Sequence, residues 1–103
     1  MDASFEFQFE WDPYKAKQNL KLHRITFERA ATVFLDPSML SRYDEGHSAE
    51  EERWITLGID RTGSFLVVCH TYHELSETIA RVRIISARKA TKNETKQYQG
   101  HER

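Results

Sequence analysis

A single cysteine in 103 residues leaves no partner for an internal disulfide. Cys69 closes the apolar run Phe65-Leu66-Val67-Val68-Cys69, the setting of a buried thiol rather than of a nucleophile, and a reducing cytoplasm fits it. Long apolar runs are missing as well. No stretch approaches the ~20 residues of a membrane-spanning helix, and the start at Met1-Asp2 has neither the basic residues nor the apolar segment of an export signal. The chain also lacks a glycine-rich phosphate loop, a serine nucleophile elbow and the cysteine pairs of a zinc site, which excludes the chemistries built on them. His70 and His73, three apart on a strand, face opposite sides, so no metal and no cofactor is expected. An excess of one charge is absent too: the net charge is −1, giving no global attraction to a polyanion.

What is present supports one compact domain spanning residues 1–103. Hydrophobic residues make up 39% of the chain, with six Phe, four Tyr and two Trp, enough for one well-packed core. Charge is unevenly placed. Residues 1–52 carry 6 Lys and Arg against 11 Asp and Glu, net −5, while residues 53–103 carry 9 against 5, net +4. The basic residues Arg81, Arg83, Arg88, Lys89, Lys92 and Lys96 face only Glu94 in their stretch, so a phosphate-binding surface or an ordinary solvated face lies there.

Phe5, Phe7, Phe9 and Trp11 alternate with polar residues, which predicts a strand with four aromatics on one face. Asp12 as cap and Pro13 at the first helical position predict a helix over 13–23, with Ala16, Leu20 and His23 inward. Thr26 caps a second helix carrying Phe27, Ala30, Ala31 and Phe34 at helical spacing until Pro37. Residues 36–52 read as a polar loop. Strands follow over 53–60, 64–72 and 78–86, the first two joined by a turn at Gly63, as an antiparallel meander. Thr91 and Glu94 have capping-box spacing, so a short terminal helix begins there and frays after about residue 98. The order βααβββα predicts an α+β fold, an antiparallel sheet with a helical hairpin packed on one face and the other face partly open.

His70 and Tyr72 share a strand face, as do Arg81 and Arg83, and opposed strands can bring the two pairs together. Metal-free RNA cleavage needs a base for the ribose 2′-OH, cations for the phosphorane charge and an acid for the leaving oxygen, roles open to His, Tyr and Arg. The same residues read equally well as a core histidine and as arginines paired with Glu50, Glu51 or Glu52, or with a protein partner.

Three ordered blocks then become informative: Trp11-Asp12 with Lys15, Ala16, Asn19, His23, Ile25, Phe27 and Ala30; Glu51-Glu52-Arg53-Trp54 with Gly58; and His70-Thr71 followed by residues 83–91. Together they resemble the BrnT family of toxins. The resemblance implies a RelE-like fold and a metal-independent endoribonuclease that inhibits translation. It also implies neutralisation by a BrnA-like antitoxin, often ribbon-helix-helix, which alone would contact DNA. It matches Arg53, Arg83 and Arg88 to the family's basic positions, Glu52 to its acidic one and His70 to its strand histidine; with the strand-face reading this gives His70, Arg83 and Arg88 as the expected catalytic residues and Arg53, Tyr72 and Lys89 as the expected RNA contacts. His73 and Ser64 stand where many members carry arginine, which lowers the local positive charge. The alternative on the same fold is a corepressor that binds the antitoxin and cuts nothing.

Overall fold

The structure, a computed structural model, describes residues 5–47, 49 and 51–102. Met1, Asp2, Ser48 and Glu50, which entered the reading above, lie outside these residues.

The first strand, β1 (Glu6–Glu10), sends Phe7 and Phe9 inward beside Trp11, whereas Phe5, just before it, is 47% exposed and packs edge-on against Phe7 at the rim. Asp12 caps α1 (Pro13–His23) as expected, its carboxylate accepting from the Tyr14 amide at 2.9 Å. The helix ends at Arg24, whose left-handed backbone (φ 61°) turns its N–H onto the Leu20 carbonyl. Ala16 packs on the core as expected, but the buried residue of α1 is Asn19, and Leu20 is 45% exposed. Asn19 is buried because its amide is fully used: Nδ2 donates to the Ile25 and Ala87 carbonyls at 3.0 and 2.9 Å, and Oδ1 accepts from the Ala87 N–H at 3.0 Å. Thr26 caps α2 (Phe27–Ala31), which tightens into a 3-10 turn over Thr32–Leu35 instead of running as α-helix to Pro37.

Residues Leu40–Tyr43, expected in a loop, form β2. It is a polar edge strand, and its pairing with β3 (Trp54–Ile59) is helped by a 2.7 Å bond between the Ser41 and Thr56 hydroxyls. Then come β4 (Phe65–His70), the two-residue β5 (His73–Glu74) and β6 (Ile79–Lys89). The sheet order is β1-β6-β4-β3-β2, with β5 on β6. All neighbours are antiparallel except β1, which runs parallel to β6, so the sheet is mixed. No turn joins β1 to β6, so nothing local dictated their relative direction.

Alternation along the strands divides two cores. Leu66, Val68, Val82, Ile84 and Ala87 face Ile25, Phe27, Ala30, Val33 and Phe34 of the helical hairpin, which occupies one face as expected. On the other face Leu57 and Val67 pack against Tyr98 of α3 (Lys92–Glu102), which closes part of that face. The helix extends to Glu102. Tyr98 is 1% exposed and its hydroxyl donates to Asp36 Oδ2 at 2.7 Å, a long-range anchor for the last turns. At the start, the Thr91–Glu94 capping box forms in both directions, at 2.8 and 3.2 Å.

One irregularity decides where the basic residues point. Opposite Cys69 and His70, β6 presents Ser86 and Ile84, leaving Ile85 as an extra residue. A strict period of two would put residues 83 and 88 on opposite faces. The bulge shifts the phase, so Val82 and Ile84 face the hairpin before it and Ala87 after it, and Arg83 and Arg88 both point to the α3 side.

Candidate functional site

His70 follows Leu66 and Val68 inward and is 2% exposed, edge-on to Phe34 with ring centroids 4.9 Å apart. Nδ1 lies 2.9 Å from the Thr71 carbonyl, an acceptor only, so Nδ1 carries the hydrogen. Nε2 therefore accepts from the Thr56 hydroxyl at 2.6 Å, which in turn accepts from Ser41. Burial pushes the imidazole pKa down, outweighing the Thr71 bond, and the ring is neutral at pH 7. Tyr72 shares this side: with His70, Phe7, Phe34, Met39 and Trp54 it lines an apolar cavity of about 230 Å³. Burial, then the charge of Glu74, raises the Tyr72 pKa.

Arg81 and Arg83 do not join them. Because Val82 and Ile84 enter the core, the arginines between them project to the opposite face, alongside Glu10 of β1. The expected cluster of His70 and Tyr72 with Arg81 and Arg83 is thus split by the sheet, through the strand alternation itself. The link between the sides is the backbone. Thr71 donates its N–H to the Arg83 carbonyl at 2.9 Å and accepts the Arg83 N–H on Oγ1 at 3.2 Å, while its own carbonyl holds His70.

On the α3 side, the arginines read from the sequence each meet a carboxylate. Glu51 bridges two of them, hydrogen-bonding Arg83 Nη2 and lying 3.6 Å from Arg53 Nη2. Arg88 is held by Glu94 through two bonds of 2.9 Å. Hydrogen bonding to Arg88 dominates over burial and lowers the Glu94 pKa to about 2, while the same contact raises that of Arg88. Arg81 approaches Glu10 at 4.0 Å. Between Arg83 and Arg88, whose Cα atoms lie roughly 14 Å apart at strand spacing, the same face carries the small side chains of Cys69 and Ser86, which stand opposite one another. Lys89 is exposed at the strand end. The sequence left Glu50, Glu51 and Glu52 open as partners of the arginines, because the acidic run does not reveal which member reaches the sheet; Glu51 does. Among the described residues no group of three metal-ligating side chains occurs.

A mixed sheet with a helical hairpin on one face and a terminal helix on the other is the fold of a known ribonuclease toxin. The chain superposes on the crystal structure of the Brucella abortus ribonuclease toxin BrnT with a TM-score of 0.55 and 18% identity, covering 86% of this chain and 100% of that one. A family model described as "Ribonuclease toxin, BrnT, of type II toxin-antitoxin system" matches residues 11–94. The chain belongs to the BrnT family of ribonuclease toxins. Comparison with proteins of curated function gave no match.

Proposed function

We propose that this chain, acting as a single toxin domain, is a metal-independent endoribonuclease that inhibits translation in the cytoplasm. Arg83 and Arg88 reach over the floor of Cys69 and Ser86 to the scissile phosphate and stabilise the charge that builds on it. Arg53 and Lys89 contact the flanking RNA, while Tyr72, on the hairpin side of the sheet, stands apart from that face. His70 serves as a positioning residue, fixing Thr71 and through it the Arg83 backbone. The observation that carries this reading is the bulge at Ile85, which brings Arg83 and Arg88 to one face. Arg88 is held by Glu94 in the forked geometry a phosphate can take over, and Arg83 by a single Nη2 bond to Glu51. A BrnA-like antitoxin, ribbon-helix-helix in its DNA-binding part, covers this surface and neutralises the toxin.

The corepressor reading is favoured by two observations: these arginines are already neutralised within the chain, and the His70 Nε2 is occupied by Thr56. Induced expression distinguishes the two. Growth arrest, with purified protein cutting a labelled RNA in EDTA, supports the ribonuclease; growth without arrest and intact RNA support the corepressor.

A further inference from the structure

The arginines singled out by the sequence, Arg53, Arg81, Arg83 and Arg88, each lie beside a carboxylate, but α1 is different. It carries Lys15, Lys17, Lys21 and, at its end, Arg24, with no acidic residue inside the helix, and all four are exposed. Among the described residues none of the four takes part in an ion pair, whereas Arg29, Arg53, Arg81, Arg83 and Arg88 all do. Helical spacing gathers Tyr14, Lys17, Gln18, Lys21 and Arg24 along one stripe. They line a surface groove of about 390 Å³ together with Leu20, and Tyr14 is 67% exposed.

We infer that this stripe of α1 is a second RNA-binding surface that grips the sugar–phosphate backbone away from the cleavage face. The inference rests on the ribonuclease reading for its ligand. Charge complementarity selects the occupant. Three closely spaced cations without a neutralising acid suit a polyanion whose charges repeat along a chain, and an exposed tyrosine beside them offers a stacking surface for an unpaired base. Position supports it as well. Asn19, on the inner side of the same helix, bonds both backbone groups of Ala87 beside Arg88, so α1 is locked to the strand that carries the cleavage arginines. RNA held by α1 is therefore delivered at a fixed distance from them.

The test is binding of a labelled single-stranded 20-mer RNA to the full chain, by fluorescence anisotropy from 50 to 200 mM salt. The triple variant Lys17→Gln/Lys21→Gln/Arg24→Gln removes three phosphate partners at exposed positions. Its log–log salt slope should fall by about 2, at roughly 0.7 per contact for a single strand, which makes it roughly 15-fold less salt-sensitive over that range. Lys17→Arg/Lys21→Arg should keep the wild-type slope, and Arg42→Gln/Arg61→Gln, removing exposed cations elsewhere, should leave it unchanged. Equal slopes for wild type and the triple variant, with Arg83→Ala weakening binding, would overturn the inference and leave the ribonuclease reading standing. Loss of poly-glutamate binding with RNA binding retained would overturn it in favour of an acidic protein partner. A wild-type chain that neither binds nor cuts RNA would overturn both readings.

Discussion

Arg88 and Glu94 are joined by two parallel N–H···O bonds of 2.9 Å, one from each terminal nitrogen of the guanidinium to each carboxylate oxygen. The same carboxylate accepts the Thr91 N–H and so closes the capping box of α3. One acid therefore holds a cation of the proposed cleavage face and the start of the helix that covers the neighbouring core.

That shared role has a pH signature. The folded-state pKa of Glu94 lies near 2, below the ordinary 4.5, so its contribution to stability is fully present above about 4.5 and is lost as the pH falls toward 2. Both partners are partly exposed, and solvent screening keeps the effect small. Thermal melting at pH 5 and pH 2.5 should show a smaller acid-induced drop for Glu94→Gln than for wild type. Identical drops would mean that the pair contributes nothing to acid stability.

His70 has the opposite chemistry and a separate window. Its folded pKa is depressed below 6.5 by burial, so in mildly acidic solution the unfolded chain binds a proton that the folded chain refuses, and stability falls as the pH drops below 6.5. His70→Gln should flatten the melting profile between pH 7 and 5. It should also weaken cleavage less than loss of Arg83 does, because it perturbs only the Thr71 support. A His70→Gln chain that melts with the wild-type pH profile would show that His70 is not held neutral in the fold.

Asn19 is the amide whose loss should cost most in stability. Beyond Glu10 the parallel strand β1 has ended, and the Asn19 side chain pairs with both the N–H and the carbonyl of Ala87 as a neighbouring strand would. Asn19→Ala strands buried groups worth about 1–3 kcal/mol each when unsatisfied. Asn19→Asp keeps the acceptor for the Ala87 N–H and loses both donated bonds. Chemical denaturation should rank wild type well above both variants, and a loss below 1 kcal/mol for Asn19→Ala would show that water replaces the amide.

The sequence showed the helices most clearly, because their caps are local: Asp12, Pro13, Thr26 and the Thr91–Glu94 box all stand where the spacing puts them. It also showed the strands carried by β-rich runs. The features it hid are non-local. β2 is polar and forms only because Ser41 meets Thr56 and Leu40 comes opposite Leu57. The inward turn of Asn19 depends on carbonyls at Ile25 and Ala87 that no helical pattern contains. At the site, counting by twos put His70 and Tyr72 together correctly, but it could not report which face Arg83 took relative to them. Nor could it report Ile85 as an extra residue, on which the common face of Arg83 and Arg88 depends.

Arg88 is the residue on which the ribonuclease reading is most exposed to test. Its two bonds to Glu94 have the fork geometry that a phosphate also accepts, so RNA must exchange one anion for another at this guanidinium. If Arg88 stabilises the transition state, Arg88→Ala should lower the cleavage rate by ~10²–10³, the cost of losing one preorganised donor. Arg88→Lys should also be impaired, since an ammonium keeps the charge but cannot make the bidentate contact. Glu94→Gln is the control that separates this from a role in holding α3. It breaks the same ion pair and should lower the melting temperature about as much as Arg88→Ala, yet it leaves the guanidinium free for phosphate and should cut RNA at the wild-type rate or faster. The measurement is cleavage of a labelled RNA in EDTA by the four proteins, each scaled to its folded fraction by thermal melting. Were Arg88→Ala and Glu94→Gln to melt alike and cut alike, Arg88 would be a tether for the terminal helix and the cleavage chemistry would have to be sought at Arg53 and Arg83, which share Glu51 Oε1.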